Sequence, residues 1–418
     1  MKISIITLGC KVNTCESESI AAKLKNLGHT VTNEFEKADA YIINTCAVTQ
    51  EAEKKSRQCV ARVRKYNAKA KIYVIGCASE KNPDQFDGKG VTYISGNAMK
   101  SLVAQFPEGK AIRELPTQYE NMCYSENMLT RSFVKIQDGC NNFCTYCIVP
   151  YLRGRARSRE PDDIYNECVQ KSEATSEIVL TGINTSAYGV DLGITLTDLV
   201  VTLATVNARF RFSSLEVGII DDVFLTAIKE AGNFCPHFHL SLQSGDDEVL
   251  KSMNRHYTRD EFIAKCDLIR QYFPEAAITT DIIVGFPTET DEAFGNTKRL
   301  VRRVNFADIH VFPYSRRQGT KASNMKLVED SVVEARKADL LVLKRDMKRE
   351  FVQNQLGKTL EVVAEYKDGS YAQGYSENYV RVYFTAQGEV RLGKKYYVKA
   401  EDLYSDGVRG VENPAYLR

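Results

Sequence analysis

The chain has no excess of charge of one sign. Its 418 residues include 56 Lys+Arg and 54 Asp+Glu, which leaves a formal net charge of +2. A molecule with so balanced a charge carries no large one-signed field, so local patches must meet any polyanionic partner. With 43% hydrophobic and 26% charged residues, the composition excludes a disordered chain, a collagen and a coiled coil. At roughly 100–200 residues per domain, the length predicts two to four domains.

Long hydrophobic runs are also missing. A membrane-spanning helix needs about 20 consecutive apolar residues, and charged residues interrupt every apolar run well before that length. The N-terminus, MKISIITLGCKVN, lacks a signal-peptide cleavage pattern and is typical of a strand that enters a loop. Twelve cysteines without an export signal indicate a reducing compartment, where thiolates serve as metal ligands more often than as disulfides. We therefore expect a cytoplasmic protein that does not bind membranes.

The first segment, residues 1–110, alternates strand and helix patterns. Its strand candidates are ISIITLG, AYIINT, KIYVIG and VTYIS, and longer polar segments of helical character lie between them. Buried strands that alternate with helices predict an open parallel α/β sheet with helices on both faces. Pro107, Gly109 and Pro116, with the polar stretch to Asn127, indicate a linker.

A second alternating series occupies residues 126–353. Six strand candidates, SFVKIQDG, EIVLTG, RFRFSSLE, HFHLSLQSG, AITTDIIVGF and DIHVFPY, are mostly followed by helical patterns. Repeated βα units of this length predict a partial (β/α)6 barrel, and residues 329–353 predict one long helix.

The last segment, residues 354–418, changes to short strands separated by Gly, Asn and Asp turns. The strand candidates GKTLEVVAEYKDG, SYAQGYSENYVRVYF, EVRLG and KKYYVKAEDLYSDG predict a small antiparallel barrel. Basic and acidic residues balance here, which argues against a purely electrostatic clamp on a nucleic acid. Its many tyrosines either stack on unpaired bases or fill the barrel core.

Three cysteines lie within eight residues in DGCNNFCTYCIVP: Cys140, Cys144 and Cys147. A short loop brings three thiolates together at low entropic cost. A structural zinc site needs four ligands, and no fourth Cys or His is close in sequence. A three-cysteine iron–sulfur cube leaves one iron open for a small molecule. A zinc knuckle completed by a distant residue is the alternative.

A second set of cysteines ends three successive strand candidates: Cys10, Cys46 and Cys77. In an open parallel sheet, ligands bind beyond the carboxyl ends of the strands, so these loops converge at one edge. Gly9 and Gly76 allow close backbone approach. The shared position predicts a second cube with three protein ligands and one open iron.

The CNNFCTYC spacing resembles the radical S-adenosylmethionine motif, and the βα units resemble that superfamily's partial barrel. Taken with Cys10, Cys46 and Cys77, the whole chain is similar to the methylthiotransferase family, whose C-terminal barrel is of the TRAM type. The resemblance implies two 4Fe–4S clusters and S-adenosylmethionine, which supplies both a methyl group and the radical that opens a C–H bond. The implied reaction replaces hydrogen with a methylthio group.

Short motifs distinguish the branches of this family. GCKVN, NTCAVTQEAEKKSRQ and RGRARSR resemble the branch that acts on threonylcarbamoyladenosine at position 37 of tRNA, next to the anticodon. That resemblance implies the tRNA anticodon loop, a low-potential electron donor and a sulfur donor as partners. The alternatives are the isopentenyladenosine branch (GCQMN), the ribosomal-protein branch (GCPKN), and a non-catalytic RNA-binding protein with zinc in both sites.

Four alternating arginines follow the radical motif: Arg153, Arg155, Arg157 and Arg159. Arginines in this pattern are candidates to bind anticodon-loop phosphates. The alternative is a solvated loop that pairs with the acidic residues at 160, 162 and 163.

Polar residues at the carboxyl ends of barrel strands face the active-site mouth in such folds. On this basis the candidates for binding S-adenosylmethionine are Thr181, Gly182, Asn184, Ser214, Glu216, Gln243, Arg255 and Asp281. The resemblance places the methionine amino group near TGIN, where relatives often carry a GGE-like motif. Arg255 is a candidate bidentate donor to the methionine carboxylate. No side chain is assigned a catalytic role.

The remaining metal-binding residue types show no ligand spacing. The histidines at 237, 239, 256 and 310 are predicted to be core or supporting groups. Six other cysteines are predicted to be ordinary thiols: Cys15, Cys59, Cys123, Cys168, Cys235 and Cys266.

Overall fold

The structure is a computed structural model that describes residues 1–122 and 130–413. Cys123, Asn127 and the predicted boundary at residue 126 lie outside the described residues. No helix in the described part of the chain is long and apolar enough to cross a membrane.

The N-terminal segment forms one parallel sheet with flanking helices. Its strands are β1 (Lys2–Thr7), β2 (Thr30–Thr32), β3 (Ala40–Thr45), β4 (Lys71–Gly76), β5 (Tyr93–Ser95) and β6 (Gly109–Ala111). Its helices are α1 (Lys11–Asn26), α2 (Gln50–Tyr66) and α3 (Cys77–Lys81). The strand order is β2-β1-β3-β4-β5-β6, and β3 is buried throughout, as a central strand covered on both faces must be. The four predicted strands are confirmed; β2 and β6 are three-residue additions.

The middle segment forms a partial barrel. Its strands are β7 (Ser132–Lys135), β8 (Gln137–Asp138), β9 (Arg157–Ser158), β10 (Glu177–Thr181), β11 (Arg209–Phe212), β12 (His237–Gln243), β13 (Ala277–Val284) and β14 (Asp308–Pro313). Its helices are α4 (Val149–Arg153), α5 (Pro161–Ser172), α6 (Leu196–Leu203), α7 (Asp222–Ala231), α8 (Asp247–Ser252), α9 (Arg259–Tyr272), α10 (Asp291–Val304) and α11 (Asp330–Gln353).

Six of these strands follow one another around the barrel. The parallel sheets β7-β10-β11 and β12-β13-β14 are joined by two single parallel bridges, Phe210 to Phe234 and Leu215 to Leu240. Successive side chains of a strand point to opposite faces. Phe210 and Phe238 therefore pack against the outer helices, whereas Arg211 and His237 line the inner side of the barrel. The predicted partial barrel is confirmed.

The C-terminal segment is a closed barrel of five strands. These are β15 (Thr359–Asp368), β16 (Tyr371–Ser376), β17 (Arg381–Thr385), β18 (Lys395–Tyr404) and β19 (Gly407–Glu412), in the order β15-β16-β17-β19-β18. The predicted strand EVRLG is wrong, because that stretch turns at Gly393, where φ is +78°, and β19 supplies the fifth strand instead. Valines and alanines dominate the barrel core, and among the described residues of the segment Tyr383 is the buried tyrosine.

A buried group of three charged residues, which we call the arginine clasp, joins the two barrels: Glu177, Arg209 and Arg211. Glu177 is fully buried, and it accepts hydrogen bonds from Arg209 Nε at 2.7 Å and from Arg211 Nε at 3.1 Å. The outer nitrogens donate to main-chain carbonyls of the small barrel, Arg209 to Tyr375 at 2.8 Å and Arg211 to Ser376 at 3.0 Å. The clasp therefore holds the small barrel directly against the partial barrel.

Candidate metal centres

The radical-motif loop leaves β8 and ends at α4. Gly139, with φ +69°, permits the entry turn, because a Cβ there would lie 1.9 Å from the Arg155 carbonyl oxygen. Cys144 is buried, and Cys140 and Cys147 are partly buried. The Cys140 sulfur accepts a hydrogen bond from the Asn142 amide at 3.5 Å. The loop thus presents three thiols with a backbone donor already aimed at one of them.

Side chains from three barrel loops surround these thiols. Asn184 Nδ2 lies 3.9 Å from the Cys140 sulfur, and Arg255 Nη1 lies 3.4 Å from the Cys144 sulfur. Glu216 accepts from Arg255 Nη2, and it also accepts from Asn142 at 3.3 Å. Of the predicted cofactor-binding residues, the structure therefore gathers Asn184, Glu216 and Arg255 at the loop. The Arg255 guanidinium is paired with Glu216, so its two outer nitrogens are not both available to a ligand carboxylate.

Of the other predicted cofactor-binding residues, four lie at strand ends and Asp281 lies within β13, and none reaches the loop in the described contacts. Thr181 is buried, and a Cβ on Gly182 would lie 2.9 Å from Gln137 Oε1. The Ser214 carbonyl accepts a hydrogen bond from Thr185, and Gln243 ends β12 with φ +70°. Asp281 lies on the inner side of the barrel between two histidines, His239 and His310.

The strand-end cysteines form a second group. Cys10 precedes α1, Cys46 follows β3, and Cys77 begins α3 directly after β4. Gly9, with φ +101°, lets the first loop pass against the second, because a Cβ there would lie 2.7 Å from the Cys46 sulfur. Cys10 and Cys77 both interact electrostatically with the Cys46 thiol. The structure thus brings the three together at the carboxyl edge of the sheet.

Amide side chains fix the loops of this second group. Asn13 Nδ2 donates to the Leu8 carbonyl at 2.7 Å and to the Thr45 carbonyl at 3.0 Å, so it ties two loops together. Asn97 Nδ2 lies 3.6 Å from the Cys77 sulfur and 2.9 Å from the Leu152 carbonyl in α4. Since α4 begins two residues after Cys147, Asn97 links the two cysteine groups through a short path.

The donor sets fit a cluster larger than a single ion. In the described ranges 1–122 and 130–413, no cysteine belongs to a set of three ligand atoms within 4.8 Å of one another, which a single zinc ion requires. The described cysteines are all free thiols. Burial raises the pKa of Cys147 to about 12 and that of Cys46 to about 11, so the metal must displace protons when it binds.

A buried ionic network connects the N-terminal sheet to the partial barrel. Glu16 of α1 accepts from Lys100 at 2.6 Å, from Lys135 at 2.8 Å and from Arg153 at 2.9 Å. Asp138 accepts from Arg153 at 3.1 Å and from Lys135 at 2.7 Å. Burial would raise the pKa of Glu16, but Arg153, Lys100 and Lys135 together hold it well below the usual range. Arg153 also interacts electrostatically with the thiol of Cys77, so the network places positive charge beside the second cysteine group.

Burial corrects the prediction that the alternating arginines bind tRNA phosphates for three of the four, and for Arg155 it stays a prediction. Arg153, Arg157 and Arg159 are buried, with 1%, 3% and 6% of their surfaces exposed. They pair inside the chain, Arg153 and Arg157 with Asp138 and Arg159 with Glu167. These partners also differ from the acidic residues of the alternative interpretation. Arg155 is the exposed member, and its guanidinium lies 4.6 Å from the Phe143 ring centroid.

Two features were missed by sequence reasoning. His239, Asp281 and His310 bring three potential ligand atoms within 4.8 Å, although the histidine spacing gave no metal signal. Lys11, the first residue of α1, lies within electrostatic range of Glu177 and Arg211 of the partial barrel and of Tyr379 of the small barrel. Its position directly after Cys10 was the only sequence clue. The five remaining described cysteines, Cys15, Cys59, Cys168, Cys235 and Cys266, are buried.

Two segments of the chain match known protein families. Residues 134–301 match the radical SAM superfamily, and residues 2–94 match an uncharacterized protein family, UPF0004. A radical S-adenosylmethionine methyltransferase from Kitasatospora setae, TsrM, has a similar fold, with a TM-score of 0.58 over 77% of each chain and 11% identity.

Sequence relatives cover nearly the whole chain. A threonylcarbamoyladenosine tRNA methylthiotransferase from Thermotoga maritima is 36% identical over 97% of this chain and 96% of its own length. Another enzyme of this name, from Bacillus subtilis, is 34% identical over 98% of this chain and 97% of its own length. A tRNA-2-methylthio-N(6)-dimethylallyladenosine synthase from Dictyoglomus thermophilum is 34% identical over 98% of both chains. The chain therefore belongs to the tRNA methylthiotransferases of the radical S-adenosylmethionine superfamily, enzymes whose cofactors are S-adenosylmethionine and 4Fe–4S clusters.

Proposed function

We propose that this enzyme inserts a methylthio group at C2 of N6-threonylcarbamoyladenosine at position 37 of tRNA. In this proposal residues 1–110 hold an auxiliary cluster, residues 126–353 form the radical barrel, and residues 354–418 bind RNA. The enzyme works in the cytoplasm, where it draws on a low-potential electron donor and a sulfur donor. Relatives of both the threonylcarbamoyladenosine and the dimethylallyladenosine type support the reaction class.

Each cysteine group holds one 4Fe–4S cluster in this proposal. Cys140, Cys144 and Cys147 hold the cluster that binds S-adenosylmethionine, and Cys10, Cys46 and Cys77 hold the auxiliary cluster. When bound, the first cluster and S-adenosylmethionine supply the radical that opens the substrate C–H bond. Arg255 and Asn184 donate toward the thiolates, and Glu216 keeps the Arg255 guanidinium in place.

The observation that carries the proposal is the junction between the two cysteine groups. The five-residue helix α4 starts beside Cys147 and ends at Arg153, which lies within electrostatic range of Cys77. Asn97 spans the same junction, because it contacts both the Cys77 sulfur and the α4 backbone. A methylthio transfer needs both centres to serve one substrate, and this junction supports that arrangement.

A lysine within electrostatic range of both barrels supports threonylcarbamoyl as the modified group. Lys11 makes no ion pair with any residue that the structure describes, whereas the neighbouring Arg211 is paired with Glu177. Lys11 is solvent-exposed, but desolvation by the surrounding groups and the cations Arg131 and Arg211 lower its pKa. A carboxylate ligand would neutralise the charge of this lysine. The threonylcarbamoyl group carries a carboxylate, and the isopentenyl group carries no charge.

The small barrel supports RNA binding through exposed tyrosines. Tyr366, Tyr371 and Tyr404 expose 48%, 36% and 45% of their surfaces, and Tyr371 lies within electrostatic range of the other two. Exposed aromatic rings can stack on unpaired bases of an anticodon loop. The rings of Tyr375 and Tyr379 stack with their centroids 4.7 Å apart, and Tyr379 also stacks on His237 of the partial barrel. This pair therefore packs at the contact between the two barrels.

Iron counting tests the two-cluster assignment. After anaerobic reconstitution we expect about eight irons per chain, and about four when either cysteine trio is changed to alanine. The variant that lacks Cys10, Cys46 and Cys77 should still cleave S-adenosylmethionine, because that chemistry belongs to the other site. One cluster in the intact enzyme would refute the two-site mechanism.

Nucleoside mass spectrometry tests the substrate. The enzyme is supplied with tRNA that carries threonylcarbamoyladenosine or isopentenyladenosine, and only the former should gain a methylthio group. A product on isopentenyladenosine alone would assign the enzyme to the branch of the Dictyoglomus relative.

A further inference from the structure

Three side chains of the types that bind metals meet on the inner side of the partial barrel, and none of them belongs to either cysteine group. They are His239 of β12, Asp281 of β13 and His310 of β14. His239 Nε2 lies 3.4 Å from Asp281 Oδ2, and His310 Nδ1 lies 3.1 Å from Asp281 Oδ1. One ligand atom from each residue lies within 4.8 Å of the other two.

The strand register explains why these residues meet. In the parallel pairing, His239 is opposite Thr279 and Asp281 is opposite His310. Side chains two residues apart on a strand share a face, so Thr279 and Asp281 point to the same side. Three adjacent strands therefore present His239, Asp281 and His310 to one point.

A supporting hydrogen bond fixes the orientation of one imidazole. His239 Nδ1 lies 2.9 Å from Thr279 Oγ1, and that hydroxyl lies 3.3 Å from His237 Nε2. Metal-binding histidines commonly use one ring nitrogen for such a partner and the other for the metal. The contact with Thr279 leaves Nε2 of His239 directed at Asp281.

The exposure of the three side chains suits an open coordination site. The His239 side chain is 10% exposed, that of Asp281 is 30% exposed and that of His310 is 49% exposed. Because Asp281 and His310 are partly exposed, an ion can reach the ligand atoms from solvent and keep one position for water or another ligand. Two imidazoles and one carboxylate match the donor set of zinc sites with three protein ligands and an open position, and of ferrous sites of the same type. All-oxygen sites, which Mg²⁺ and Ca²⁺ prefer, have a different donor set.

We propose that His239, Asp281 and His310 bind one divalent transition-metal ion, with Zn²⁺ as its representative, separate from the iron–sulfur clusters. The fourth coordination position faces the inside of the barrel. This site does not depend on the identity of the modified nucleoside, so it stands or falls separately from the proposed substrate.

Metal analysis of the reconstituted full-length enzyme tests the site. The protein is dialysed anaerobically against Zn²⁺, desalted, and analysed for zinc, iron and sulfide. We expect one zinc per chain in addition to the cluster iron, and its loss in both His310→Ala and Asp281→Asn. His256→Ala is the matched control, because His256 is an exposed histidine outside the group, and it should keep the zinc.

X-ray absorption at the zinc edge identifies the ligands. Binding to His and Asp gives nitrogen and oxygen distances of about 2.0–2.2 Å, whereas zinc in an incomplete cysteine site gives sulfur distances of about 2.3 Å. Circular dichroism of each variant establishes that the fold is retained. The proposal is overturned if the wild type retains no zinc, if the zinc is sulfur-bound, or if His310→Ala retains as much zinc as His256→Ala.

Discussion

Replacement of Glu16 by Gln is expected to destabilise the protein strongly. The Glu16 carboxylate lies 2.6–2.9 Å from the cationic groups of Lys100, Lys135 and Arg153. Lys100 and Arg153 have 1% of their side-chain surface exposed, so water cannot replace the lost carboxylate. Breaking a buried charge pair by removing one partner costs about 3–5 kcal/mol. We expect a loss of this size, concentrated where α1 packs on β7.

Urea denaturation followed by circular dichroism measures this effect, and the surface substitution Glu36→Gln is the matched control. Glu36 pairs with Lys2 at 2.6 Å, but both side chains are about 40% exposed, so the midpoint should barely move. Glu16→Gln should also reduce methylthiolation more than S-adenosylmethionine cleavage, because α1 directly follows Cys10 and contains none of the radical-motif cysteines. Equal midpoints for the two variants would refute the role of the network.

The difference in stability between wild type and Glu16→Gln should depend on pH. The pKa of Glu16 is lower in the folded state than in the unfolded state, so its contribution is present above the unfolded pKa. The stability difference between wild type and Glu16→Gln should therefore be complete at neutral pH. It should shrink as the pH falls below about 4.3, the ordinary value for a glutamate. A difference that grows on acidification would contradict this sign.

Three further substitutions test the candidate sites. Gly9→Ala places a Cβ 2.7 Å from the Cys46 sulfur at a positive φ, so iron analysis should show loss of about four of eight irons while S-adenosylmethionine cleavage persists. Tyr404→Ala should weaken tRNA binding by about 1–3 kcal/mol in a filter-binding assay, whereas Tyr383→Phe should not, since Tyr383 is buried. Lys11→Met should raise KM for threonylcarbamoyladenosine tRNA at least tenfold, whereas Lys11→Arg should keep KM close to the wild-type value. Equal KM values for Lys11→Met and wild type would exclude contact between Lys11 and the carboxylate.

The strands that could be predicted are those with a strong local pattern. AYIINT and KIYVIG are continuous apolar runs, and they form the central strands β3 and β4. EVRLG and the β19 segment both have weak alternation, and the choice between them depends on which one closes the barrel with β17 and β18. That pairing is non-local, so the sequence pattern could not decide it.

The candidate site divides in the same way. The strand-end cysteines could be placed together because parallel strands end at a common edge. The role of Arg153 could not be predicted, because its partner Glu16 lies 137 residues away in sequence. The same holds for His239, Asp281 and His310, which come together only through the register of three strands.

The arginine clasp has a consequence for how the enzyme selects a nucleotide in tRNA. Its bonds to β16 end on main-chain carbonyls, so side-chain changes in β16 leave them in place. Arg209 also pairs with the Glu361 carboxylate of β15 at 3.4 Å. From these contacts we expect the two barrels to keep a fixed relative position. An RNA loop held by Tyr371 and Tyr404 would meet the reactive centre at a constant span. The fixed distance between these tyrosines and the reactive centre would then determine which nucleotide is modified.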